Sequence, residues 1–230
     1  LRHLDIYYEG TERDWSIYAE TDIVEDPQYL CVHYLESEQY QGGTCGDAIT
    51  WDIDTATDSL VFKGTGTMTD YVNNERPWYG IAPYFMNAEI GDGITDIGAN
   101  TFYNCENLKN ITIPGSIEGI NKYAFGQCKN LTNVITPDSI KWISECAFSH
   151  SSSLKSITIG SGLTTIGKNA FNACEQLADV YYNGTEDEWN KIDKQTGNED
   201  LLNATIHFVE PEDPYSGICG DGVTWSIDTE

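Results

Sequence analysis

The chain has 230 residues, with 37 acidic side chains against 12 basic ones and a formal net charge of −25. That length suits one domain of ordinary size plus accessory pieces, and so negative a field repels phosphate backbones, which argues against nucleic acid as a partner. No apolar stretch approaches the roughly 18 residues that a spanning helix needs, so this segment is not expected to insert into a membrane.

Residues 1–36 contain Tyr7-Tyr8-x-Gly10-Thr11-Glu12-x-x-Trp15 and then the strand Cys31-Val32-His33-Tyr34. The same pattern returns 174 residues later as Tyr181-Tyr182-x-Gly184-Thr185-Glu186-x-x-Trp189, with His207 in the place of His33. Cys45-Gly46-Asp47-x-x-Thr50-Trp51 likewise returns as Cys219-Gly220-Asp221-x-x-Thr224-Trp225. We therefore read residues 1–36, with Thr11 as a helix cap, as the C-terminal cap of a preceding tandem unit, and 37–44 as a linker. Residues 218–230 read as the start of the next unit, and the chain as a fragment of a longer array.

Residues 45–90 read as a β-hairpin cap module. Ile49-Thr50-Trp51-Asp52-Ile53 alternates apolar and polar, a turn follows through Asp58, and Leu60-Val61-Phe62 supplies the second strand. Gly64-Thr65-Gly66 and Pro77-Trp78-Tyr79 lead onward. Asp52, Asp54 and Asp58 resemble a calcium loop faintly, but the glycine and distal glutamate of such a loop are missing.

From Gly91 to Tyr182 the chain repeats every 23 residues, four times. Apolar columns run in register: Ile94, Ile117, Ile140, Leu163; then Ile97, Ile120, Ile143, Ile166; then Phe102, Phe125, Phe148, Phe171. Two more follow, Leu108, Leu131, Leu154, Leu177 and Ile111, Val134, Ile157, Val180. A fixed period of this length is the mark of a solenoid, in which each unit buries its apolar face against its neighbours. Each unit has one strand, such as Leu154–Ile159, which ends at Pro114, Pro137 or Gly160. The Ile-x-x-Ile-x-x-x-Ala-Phe that follows suits a short helical or 3₁₀ return on the convex side. Alternation then points Thr112, Ile135, Thr158 and Tyr181 outward as a concave row, flanked by Lys109, Asn110, Asn133, Lys155, Ser156 and Asp179.

Residues 183–210 read as a C-terminal cap. Thr185-x-x-Glu188 is a capping box opening a short helix with Trp189, and Ala204–Phe208 is a final strand. Residues 211–217 form a linker. The acidic load sits on these flanks: residues 1–70 carry 15 acids and 3 bases, residues 183–230 carry 12 and 2, and residues 71–182 carry 10 and 7.

Seven cysteines raise the question of a disulfide framework. Cys105, Cys128 and Cys174 share one repeat column with Ser151, which favours small buried thiols over bridges, although disulfides stay open. His33 and His207 read as outward strand side chains, and Cys146-x-x-x-His150 lacks the four converging ligands of a zinc site. No Ser-His-Asp, Cys-His or HExxH arrangement and no Gly-rich phosphate loop is present. No catalytic residue, metal site or cofactor is expected. The N-x-T sequences at Asn110, Asn130, Asn183 and Asn203 follow from composition.

The run I-x-x-I-x-x-x-A-F-x-x-C-x-x-L-x-x-I-x-I-P resembles the BspA-like class of leucine-rich repeats over residues 91–182. The flanking C-G-D-x-x-T-W and Y-Y-x-G-T-E-x-x-W elements are similar to modules that bracket such repeats in bacterial surface proteins. The resemblance implies an α/β leucine-rich-repeat solenoid, a right-handed superhelix of parallel strands and short helices, with the hairpin cap before it and the helix–strand cap after it. It also implies secretion or cell-wall display and non-enzymatic binding of a host or neighbouring-cell protein or glycan. The ten concave residues named above are the expected contact set and a monomer is expected. A structural spacer within a tandem array is the alternative.

Overall fold

The structure, a computed structural model, describes residues 42–208 apart from 55–56, 73–74 and 83–84, together with the backbone of strands at 4–8, 30–34, 216–219 and 223–226. Thr11 and Trp15 lie outside the described residues, as do most of the linkers. In chain order, β1 (Leu4–Tyr8) pairs in parallel with β2 (Leu30–Tyr34). β3 (Gly43–Thr44), β4 (Ile49–Asp54) and β5 (Ser59–Gly64) form an antiparallel meander.

From Gly66 the chain winds as a coil with two strands per turn. β6 (Gly66–Thr67) and β7 (Asn87–Ile90) make the first turn, β8 (Ile94–Ile97) and β9 (Asn110–Thr112) the second. β10 (Gly119–Ile120) and β11 (Asn133–Ile135) follow, then β12 (Trp142–Ile143) with β13 (Ser156–Ile159), and β14 (Thr165–Ile166) with β15 (Asp179–Tyr182). Then α1 (Glu186–Lys191) precedes β16 (Asp193–Lys194), and α2 (Glu199–Asn203) precedes β17 (Thr205–Phe208). β18 (Ser216–Cys219) and β19 (Val223–Ser226) pair antiparallel. The first strands of the turns form a six-stranded sheet ordered β16-β14-β12-β10-β8-β6. The second strands form β11-β13-β15-β17, while β7 and β9 join the hairpin as β3-β4-β5-β7-β9.

The apolar columns lie between these two layers. Ile94, Ile97, Phe102, Leu108, Ile117, Ile120, Phe125 and Leu131 are all fully buried, and the later units repeat the pattern. Val134, Ile157, Val180 and Ile206 pair in register on neighbouring parallel strands, as do Ala88 and Ile111. The phenylalanines stack in a column, with ring centroids 5.1, 5.1 and 5.2 Å apart from Phe102 to Phe171.

The expected helical return is not what forms. No helix lies between residues 91 and 182; Ile97, Ile120, Ile143 and Ile166 instead sit in the six-stranded parallel sheet, and Ala-Phe lies in a tight turn. A three-residue spacing fits a 3₁₀ helix equally well, but here the backbone groups bond between turns of the coil. Phe102 N donates to Ala124 O, Phe125 N to Ala147 O and Phe148 N to Ala170 O. Each turn is closed by two left-handed residues four apart. One column is Asn100, Tyr123, Cys146 and Asn169 (φ 58°, 55°, 56° and 56°), the other Asn104, Gln127, His150 and Ala173.

The cysteine column has a role beyond filling space. Cys128 Sγ, Ser151 Oγ and Cys174 Sγ each donate to the carbonyl of the phenylalanine one turn earlier, at 3.1, 2.8 and 3.2 Å. Cys and Ser exchange because each supplies a small buried X–H donor. Cys45, Cys105, Cys128, Cys146 and Cys174 are all free thiols.

The coil extends past the four legible units in both directions. β6 and β7 add to both sheets on one side, and β16 and β17 on the other. At the first end Phe62 and Trp78 meet edge to face, and Trp78 Nε1 donates to Thr101 O. At the last end the buried Asn198 takes the place beside Phe171, accepting from its N–H and donating to Gly167 O and Gln195 O. Thr185 and Glu188 close a capping box on α1, with Trp189 buried.

The 174-residue recurrence is visible in the pairing. β1 and β2 pair Tyr7 with His33 as β15 and β17 pair Tyr181 with His207. β18 and β19 pair Gly217 with Trp225 as β3 and β4 pair Gly43 with Trp51.

Candidate functional site

Parallel register fixes what the concave sheet presents. Side chains alternate along each strand, so the buried Val134, Ile157 and Val180 leave two outward rows. The first is Asn133, Ser156, Asp179 and Thr205; the second is Ile135, Thr158, Tyr181 and His207. Ser156 Oγ donates to Asn133 Oδ1 at 2.7 Å. His207 Nε2 lies 2.7 Å from Asp179 Oδ1, and its ring stacks on Tyr181 with centroids 4.6 Å apart and planes 13° apart. Ile135 and Tyr181 stand out as exposed large side chains, at 67% and 44%.

All ten expected residues face away from the core, on strands that lie side by side from β9 to β15, although the backbone ladder is not continuous between β9 and β11. Lys109, Asn110 and Thr112 belong to β9 and its approach, and β9 is paired with β7; among the described residues no strand ladder joins β9 to β11. Asn110 Nδ2 donates one turn back to Asn87 Oδ1 at 2.9 Å, as Ser156 does to Asn133. Asn133, Ile135, Lys155, Ser156, Thr158, Asp179 and Tyr181 come together on the other sheet. His207 completes that group. Its signal in the sequence was the same register as His33, read there only as an outward strand position.

The charge pattern of the coil is organised by the repeat. Lys122–Glu145, Lys129–Glu106 and Lys141–Glu118 pair at 2.8, 2.6 and 2.6 Å, each across 23 residues. All six side chains are about half exposed, so solvent screens each pair and it contributes little to stability. Lys155 has no ion pair among the described residues, which leaves a cation on the concave face. Asp138, beyond the end of β11, accepts from Ser161 N and from Asn183, and these bonds hold its carboxyl below the ordinary value.

Burial pushes the Cys105 thiol up to about 11 and the Cys174 thiol to about 12, and Cys128 well above the ordinary value. A nucleophile or metal ligand has to be the thiolate. Among the described residues no three His, Cys, Asp or Glu side chains converge as a metal site, and no helix is long and apolar enough to cross a membrane. His150 Nδ1 is engaged by Ser149 Oγ at 2.8 Å, away from Cys146.

Residues 82–195 match the BspA type leucine rich repeat region in six copies. No curated protein sequence matches the chain. Among solved structures, a leucine rich cell surface protein from Faecalibacterium prausnitzii A2-165 shares the fold, with a TM-score of 0.53 and 21% identity over 72% of this chain and 45% of that one. A leucine-rich repeat protein from Eubacterium ventriosum gives 0.48 and 22% over 67% and 44%. The pneumococcal vaccine antigen PcpA gives 0.45 and 16% over 79% and 50%. The chain thus spans about half or less of the length of each. The recurring Ile, Phe and Leu columns, the parallel strands and the family match agree: the repeat region of this chain belongs to the BspA-type leucine-rich repeats.

Proposed function

We propose that this chain is a non-enzymatic binding module of a bacterial surface or secreted protein, and that its concave sheet at β11–β17 engages a protein partner. One observation carries the reading. The strand pair β15–β17 has a second copy in the sequence, with Asp5, Tyr7 and His33 at the positions of the outward Asp179, Tyr181 and His207, although Cys31 stands at the position of the outward Thr205. The inward positions change only among apolar groups or not at all, with Ile6 for Val180, Val32 for Ile206 and Tyr8 for Tyr182. Core packing accounts for these inward residues, but not for Asp, Tyr and His recurring where side chains carry no core contact. Extended solenoid sheets suit many weak polar contacts to a large partner, and Tyr with adjoining polar groups is a common interface anchor. The surface assignment rests on the family and on the cell-surface description of the F. prausnitzii neighbour.

The test is surface plasmon resonance against a panel of extracellular-matrix proteins, comparing wild type with Tyr181→Ala, His207→Ala and Lys155→Glu. We expect binding that falls by about tenfold or more for Tyr181→Ala, in the range of an interface anchor. Modest salt sensitivity is also expected, because surface charge is screened within about 8 Å at physiological ionic strength. Equal binding by wild type and all three variants moves the site off this sheet. No binding by the wild type favours a spacer in a tandem array.

A further inference from the structure

A groove of about 710 Å³ runs along the turn edge of the coil, away from the concave sheet. It is lined by the turn residues of successive repeats: Tyr71 at one end, Tyr103, Tyr123 and Gln127 in the middle, and Asn169 and Asn172 at the other. Five turns contribute, so its length is about 19 Å at about 4.8 Å per turn.

The middle of the groove departs from what the turn itself favours. Asn is among the few residues that tolerate the left-handed conformation, and Asn100 and Asn169 hold it at the two ends of the column. Tyr123 and Cys146 hold it in the centre, at φ 55° and 56°. Such strain concentrates where a side chain is wanted for another purpose. The Tyr123 ring is only half-buried and meets Tyr103 edge to face, with centroids 5.8 Å apart. Gly126 makes room for both rings, since a Cβ there would come within 3.0 Å of Tyr103 and 3.3 Å of Tyr123. Gln127 Nε2 donates to the Tyr103 hydroxyl at 2.7 Å and fixes that ring.

The chemistry of the wall selects the ligand. Backbone groups are unavailable for strand addition, because Asn100, Tyr123 and Cys146 N–H donate to Lys122, Glu145 and Lys168 O of the next turn. Recognition is left to ring faces, amides and hydroxyls. Lys122 is held by Glu145, and its ammonium already sits 5.5 Å from the Tyr123 centroid, so neither an anion nor a cation is called for. A chain built of repeating neutral rings, apolar on their faces and hydroxylated at their rims, fits a groove that offers tyrosine rings at one end and in the middle and amides at the other, with Ser149 and His150 between them. We propose that this turn-edge groove binds a neutral oligosaccharide, with Tyr103 and Tyr123 stacking on sugar faces and Asn169 and Asn172 bonding hydroxyls.

The experiment uses the whole chain and soluble oligomers of β-linked glucose, mannose and N-acetylglucosamine, titrated calorimetrically. The key variant is Tyr123→Asn, which restores the residue the turn prefers and is expected to fold with a melting temperature no lower than wild type. Wild-type binding to at least one oligomer, weakened about tenfold or more in Tyr123→Asn and in Tyr103→Ala, supports the proposal. Binding unchanged in Tyr181→Ala separates this site from the concave sheet. No binding of any oligomer by the wild type overturns the proposal, as does undiminished binding by Tyr123→Asn, or displacement of the sugar by a proline-rich peptide.

Discussion

Truncation of one phenylalanine in the stacked column tests how far stability is passed from turn to turn. Phe125 is fully buried and stacks on both faces, 5.1 Å from Phe102 and 5.1 Å from Phe148. Phe171, also fully buried, stacks on Phe148 alone, at 5.2 Å. Large-to-small replacement of a buried ring costs about 3–5 kcal/mol, and a ring pair adds roughly 0.5–1.5 kcal/mol beyond area. Phe125→Ala is therefore expected near the upper end, about 5 kcal/mol, and Phe171→Ala about 1 kcal/mol less. For a chain of this size each kcal/mol moves the melting temperature about 2–4 °C, so Phe125→Ala should melt about 10–20 °C lower. Because turns contact only their neighbours, the interior variant should also broaden the transition as the two ends uncouple. Urea unfolding followed by far-ultraviolet circular dichroism reads both the loss and the broadening. A loss below about 2 kcal/mol for Phe125→Ala, or a larger loss for Phe171→Ala, refutes the reasoning.

Three further outcomes follow from the packing. Ser151→Ala removes the donor to Phe125 O and should cost about 1 kcal/mol, whereas Ser151→Cys should be nearly neutral; urea midpoints separate them. Gly160→Ala would put a Cβ 1.9 Å from Pro137 O and should cost about 3 kcal/mol by thermal melts, because backbone has to move. Asp96 is buried with Oδ1 unpartnered among the described residues, and burial raises its pKa. The folded state thus holds this proton more tightly than the unfolded chain does, so the penalty is present above the raised folded value and fades as pH falls toward the ordinary one. Asp96→Asn should be about 1 kcal/mol more stable at neutral pH, with the gap closing on acidification; a constant gap from pH 7 to 4 would count against burial as the cause.

The columns were legible because every buried position recurs at a fixed offset, and the structure puts Ile94, Ile117 and Ile140 where that offset demands. The path between columns was not. Ile97 and its equivalents follow Ile94 and its equivalents by three residues, which suits a 3₁₀ turn as well as a strand, and only bonding between turns decides. The outermost turns were hidden for a different reason. In the first, the ring that meets Phe102 is Phe62 of the hairpin, edge to face, with Trp78 packed against Phe62 in turn. In the last, α1 interrupts the spacing and Asn198 supplies by hydrogen bonds what a ring supplies by stacking. The gap in the backbone ladder between β9 and β11 leaves no mark on the column residues, so nothing in the sequence sets Thr112 apart from Ile135, Thr158 and Tyr181.

Departures from the repeat divide into two kinds, and the division separates stability from function. Ser151 for cysteine keeps the bond to Phe125 O, and Asn198 keeps the contact to Phe171 by other means. Each substitution preserves the coil, so the fold accounts for it. Tyr123 and Cys146 differ. They occupy a left-handed position that Asn100 and Asn169 fill with less strain, and the Tyr123 ring is only partly withdrawn from solvent. Likewise Asp179, Tyr181 and His207 recur as Asp5, Tyr7 and His33 in the second copy of their strands, at positions where the core sets no requirement. A residue retained against local preference, or retained where the core does not require it, needs a reason outside the fold. Tyr123, Asp179, Tyr181 and His207 reach solvent, whereas Cys146 is buried. The proposed protein partner on the concave sheet and the proposed sugar at the turn edge each supply such a reason, which a spacer does not need.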